Sequence, residues 1–103
     1  VTEWQWRRHT SRTSGKEMLL VTYYGALSDK PVNEYLTVLH EGYAGQKSRT
    51  LFAEIAMKCG ANFDRDNSDL DYLVDEMNAC EPPGIIKFRQ DGKFYRVTNR
   101  RWG

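Results

Sequence analysis

The chain is poor in cysteine, proline and net charge. Two cysteines in 103 residues, Cys59 and Cys80, cannot build a disulfide framework. They fit a reduced, cytoplasmic setting. Three prolines, two of them adjacent at Pro82-Pro83, exclude a polyproline rod. No apolar run approaches the roughly 20 residues a membrane helix needs, and no secretory pattern is visible. No membrane partner is therefore expected. A formal net charge of +1 gives no global argument for a polyanionic partner. No Gly-Lys-Ser/Thr step follows four spacers, so there is no Walker A loop. His9, His40, Cys59 and Cys80 match no zinc spacing, and neither a metal nor any other cofactor is expected. Neither cysteine lies in a basic stretch or at a helix start, so no activated nucleophile is visible and no catalytic residue is expected.

Charge is present, but it is segregated. Between Asp64 and Glu81 the acids are Asp64, Asp66, Asp69, Asp71, Asp75, Glu76 and Glu81, against Arg65 alone. From Ile85 onward the bases are Lys87, Arg89, Lys93, Arg96, Arg100 and Arg101, against Asp91 alone. The first sixteen residues add Arg7, Arg8, Arg12 and Lys16 against Glu3. Basic ends around an acidic middle make a dipolar molecule, which says more about partners than the net charge does.

The hydrophobic pattern predicts an α+β domain in the order βββααββ: an antiparallel β-meander, two helices and a C-terminal β-hairpin. Residues 2–9, 17–24 and 32–40 alternate as strands and are dense in β-branched and aromatic side chains. Short connections favour antiparallel pairing. Alternation puts Trp4 and Trp6 on one face, expected to be buried against the first helix. That helix spans 46–59, with Leu51, Phe52, Ile55 and Cys59 on one face and Gly60 as its stop. Ser68 is the expected N-cap of the second helix, with Asp71 three residues on in an approximate capping box. Leu70, Leu73, Val74 and Met77 form its buried stripe, and Pro82-Pro83-Gly84 ends it. The 103 residues form a single domain. The chain starts at Val1, and a fragment of a longer protein is expected.

Asp91-Gly92, flanked by alternating strand formers, is a strong hairpin signal. Taking those two residues as the turn pairs Phe88 with Tyr95, Lys87 with Arg96 and Ile86 with Val97. Ile86, Phe88, Tyr95 and Val97 then share a core face. Lys87, Arg89, Phe94, Arg96, Arg100 and Trp102 share the other. Like charges opposite one another destabilise a bare sheet. A face of cations interleaved with aromatics suits an anionic polymer with stackable rings. The four cations would meet phosphates, and Phe94 and Trp102 would stack on bases. The alternative is a solvated hairpin whose long stems cover apolar rings.

A second candidate lies at His40–Arg49, between the third strand and first helix. Two glycines, Gly42 and Gly45, allow close approach of a ligand, and Lys47 and Arg49 offer a further phosphate contact near the helix start. An ordinary strand-to-helix turn with exposed bases has the same sequence pattern.

Trp4…Arg7-Arg8-His9, Leu20-Val21-Thr22-Tyr23-Tyr24-Gly25 and Glu34-Tyr35-Leu36…His40-Glu41-Gly42-Tyr43-Ala44…Lys47 together resemble a C-terminal segment of phage and prophage DEAD/DEAH-type superfamily 2 helicases. The likeness covers the first half of the chain. Where the family pattern ends the first helix on an aromatic pair, this chain has Ile55-Ala56-Met57. The resemblance implies an accessory domain of a DNA-unwinding enzyme. The partners expected are DNA, with single-stranded and forked forms among the candidates, and the motor domain of the same polypeptide; base and strand preference stay open. The resemblance implies no ATPase residues here. A protein-docking module, or a small phage protein that inhibits a host enzyme, would share the charge asymmetry.

Overall fold

The computed structural model describes residues 1–61 and 69–102. Its elements are β1 (Glu3–Thr10), β2 (Glu17–Tyr24), β3 (Val32–Leu36), α1 (Gly42–Cys59), α2 (Leu70–Asn78), β4 (Ile85–Asp91) and β5 (Phe94–Arg101). The fold is α+β, with antiparallel sheets β1-β2-β3 and β4-β5. None of the described helices is long and apolar enough to cross a membrane.

Strand alternation builds the core. Trp4 and Trp6 on β1 share an inner face with Leu19, Val21 and Tyr23 on β2 and with Val32 and Leu36 on β3, all buried. Trp6 meets Phe52 of α1 edge-on, with ring centres 5.7 Å apart. Trp4, also buried, packs instead edge-on against Trp102, and its Nε1–H donates to the Cys80 carbonyl at 3.0 Å. On the outer edge of β1, the Asn78 side-chain amide pairs with one residue as a strand would. It accepts from the Trp6 N–H at 2.7 Å and donates to the Trp6 carbonyl at 2.9 Å. A sheet edge that would otherwise offer itself to another chain is thus closed by α2.

Two boundaries differ from the sequence pattern, for one reason. β3 stops at Leu36 rather than running on to residue 40, and α1 begins at Gly42 rather than residue 46. The segment between them is tied to α1 instead of to a ladder. Ser48 Oγ accepts the Thr37 N–H at 3.2 Å, and Arg49 Nη1 donates to the carbonyls of Val38 and His40 at 3.0 and 3.1 Å. The helix can lie this close because Gly45 has no side chain. A Cβ there would sit 1.7 Å from the His40 oxygen. The expected cap at Ser68 lies outside the described residues. Asp69 is the N-cap of α2, and its carboxylate accepts the Asp71 N–H at 3.0 Å.

The hairpin register is corrected by two residues. The turn residues are Gly92 and Lys93, because Asp91 pairs with Phe94, Gln90 with Tyr95, Arg89 with Arg96 and Phe88 with Val97. Gly92 has φ 64° and no described non-glycine residue has positive φ, the pattern of a type II′ turn with glycine first. A two-residue shift leaves the side chains from Phe88 to Val97 on their expected faces, whereas a one-residue shift would have inverted them. Ile86 and Val97 are buried, and Phe88 and Tyr95 are half-buried with their rings edge-on at 5.5 Å. Lys87 lies opposite Asn99, not Arg96; the like-charge pair is Arg89 and Arg96.

Candidate nucleic-acid interface

The hairpin carries a β-bulge at Lys87/Phe88, across which Thr98 has no partner residue. Its extra residue reverses the alternation of β5, so Arg100 lies opposite Ile86 on the inner side. This overturns the placement of Arg100 on the outer face. Its side chain is only 7% exposed and pairs with Glu34, itself 10% exposed. Arg100 Nε also donates to the Tyr23 hydroxyl at 3.0 Å, and that hydroxyl donates to Glu34 at 2.9 Å. The three side chains form a closed network between the two sheets. Burial works against the Arg100 charge, but Glu34 and Tyr23 outweigh it and hold its pKa above the ordinary arginine value. Burial, reinforced by the Glu34 charge, pushes the Tyr23 hydroxyl pKa well above that of free tyrosine. Trp102 is likewise displaced from the outer face. It packs on Trp4 and donates to the Glu81 carbonyl at 3.0 Å.

Three of the remaining candidates, Lys47, Phe94 and Arg96, converge. A solvent-open cleft of about 820 Å³ lies between β3, the N-terminal half of α1 and the hairpin tip. Lys47 comes from α1, and Phe94 and Arg96 come from β5. The two regions singled out in the sequence thus meet across one opening. Lys30 and Lys93 line the same cleft, as does Tyr35. Phe94 is 67% exposed and Tyr35 is 42% exposed. Leu36, Leu51 and Val97 line its apolar part.

The carboxylates among the lining residues, Glu34 and Asp91, are both engaged. Glu34 is held by Arg100, while Asp91 lies 3.8 Å from Arg96. The second contact is long and exposed, and costs little to release. Lys30 Nζ lies over the Tyr95 ring, 5.2 Å from its centre. Lys87 and Arg89 are exposed on β4 but do not line the cleft. Arg49 is drawn off by the two backbone carbonyls it binds, so Lys47 is the cation that α1 presents here.

Lys30 and Lys93 were not legible as site residues. Lys93 sits in a turn, and Lys30 acquires a role only when β3 and β5 face each other. Elsewhere, burial and the neighbouring Cys80 push the Cys59 thiol up to about 11, leaving little thiolate near neutral pH. Among the described residues, no group of three or more His, Cys, Asp or Glu side chains could hold a metal ion. No protein-family model, curated protein or solved structure matches the chain.

Proposed function

We propose that this domain binds nucleic acid, as an accessory module working beside the motor of a DNA helicase. The observation that carries the binding is the convergence of Lys30, Lys47, Lys93 and Arg96 around one cleft with an exposed Phe94. In a chain of net charge +1, such clustering creates a local field that the total charge does not reveal. Arg89 faces Arg96 across the hairpin, and a phosphate between or beside them would relieve that repulsion. The helicase context rests on the resemblance of the first half of the chain and on nothing in the cleft.

The test is a fluorescence anisotropy titration with a labelled DNA oligonucleotide at two salt concentrations. Affinity should fall steeply with salt as counterions are released. Replacing Lys47 and Arg96 together by Ala should weaken binding and reduce the salt slope by about two. A Lys87→Ala/Arg89→Ala variant should lose less, because those side chains lie outside the cleft. No binding by the native domain at low salt would favour a protein-docking role for the same charges.

A further inference from the structure

The cleft brings cations together with an exposed aromatic ring, and that combination selects among nucleic acids. Its cations come from separate segments: Lys47 on α1, Arg96 on β5, Lys93 in the hairpin turn and Lys30 in the loop before β3. Phe94, 67% exposed, lines the same opening.

A duplex answers only half of that combination. Its phosphates lie outside, and its bases are paired and stacked at the centre, reachable only by their edges in the grooves. Resting on this opening, a duplex would reach some cations and leave Phe94 without a ring to stack on. A single strand has free base faces beside each phosphate and can meet the cations and the ring together.

We infer that the cleft takes one strand of nucleic acid, with a base stacked on Phe94 and the adjoining phosphates at Lys47 and Arg96. The inference rests on the nucleic-acid reading above and narrows it. The entering phosphate displaces Asp91 from its loose contact with Arg96. Glu34 stays committed to Arg100 and does not repel the strand. Stacking favours no base in particular, because every base has a π-face, so the site discriminates strandedness rather than sequence.

The experiment titrates the 103-residue chain into two labelled probes at one low salt concentration: an oligo(dT) of roughly 15 nucleotides and a blunt duplex of the same length. The single strand should bind about tenfold more tightly, and Phe94→Ala should erase most of that preference while leaving duplex binding unchanged. Lys58→Ala, which removes a charge at the far end of α1 from the cleft, should alter neither affinity. Circular dichroism confirms that each variant is folded. Equal affinity for both probes, or a preference that survives Phe94→Ala, overturns the single-strand inference and leaves nucleic-acid binding standing. Failure to bind either probe overturns both. Displacement of oligo(dT) by poly-glutamate as readily as by unlabelled oligo(dT) would assign the cleft to an acidic protein segment and overturn the inference.

Discussion

Removing Arg100 should unfold the domain more readily than removing any cation of the hairpin's outer face. Arg100→Met deletes the charge that neutralises Glu34, leaving a carboxylate only 10% exposed with the Tyr23 hydroxyl as its remaining partner. Stranding one member of a buried ion pair costs about 3–5 kcal/mol. A domain of this length has roughly 5–15 kcal/mol in total, so the loss is a large part of its stability. With a urea m-value near 1–1.5 kcal/mol/M, the midpoint should drop by about 2–5 M. Glu34→Leu/Arg100→Met should recover most of that loss, since apolar replacement of both partners removes the unpaired charge. It leaves the Tyr23 hydroxyl without its partners, worth about 1–3 kcal/mol. Arg96→Met supplies the internal control. Its pair with Asp91 is 3.8 Å long with both side chains more than 60% exposed, and the change should be close to neutral. If Arg100→Met and Arg96→Met shift the midpoint equally, the Arg100–Glu34 pair is screened by solvent and the reasoning fails.

Gly45→Ala raises intrinsic helix propensity by about 1 kcal/mol, yet should destabilise by about 1–3 kcal/mol, because the new methyl meets the His40 carbonyl; a higher melting temperature would show that the 37–40 segment yields. Tyr23 gives a pH prediction. Its folded pKa lies above the unfolded value of about 10, so its contribution is intact below pH 10 and is lost as pH rises beyond it. Urea midpoints at pH 8 and pH 11 should therefore differ more for the native chain than for Tyr23→Phe, and equal differences would remove Tyr23 as the cause.

The order of elements was legible because each carries a clean pattern. β1 alternates at period two, β2 is a continuous buried run of strand formers, and Leu51, Phe52 and Ile55 return at helical spacing. Face assignment in the hairpin up to Val97 was legible for a related reason, while the faces of Arg100 and Trp102 were not. The Asp91-Gly92 signal misplaced the turn, but parity is insensitive to an error of two. What escaped was everything decided by contacts distant in sequence. Leu36 ends β3 because Ser48 and Arg49 take up the backbone beyond it, and nothing in residues 37–40 announces that. Arg49 reads like a free cation beside Lys47, yet only Lys47 borders the cleft. The cleft itself was visible only as two unconnected basic segments.

The bulge at Lys87/Phe88 gives the hairpin two reading frames. Up to Val97 the odd positions of β5 face inward, as Tyr95 and Val97 do. Beyond Thr98 the inward positions are even, at Arg100 and, past the strand end, Trp102. The tip and the base are thus governed by separate constraints. The base is fixed by the fold, because Arg100 and Trp102 are committed to Glu34 and Trp4. The tip can change its outward residues without disturbing that attachment. Deleting Thr98 would fuse the frames without turning Arg100, which would stay opposite Ile86 because the alternation from Val97 would then reach it unbroken. The spare residue marks the join between a surface free to vary and an anchor that is not.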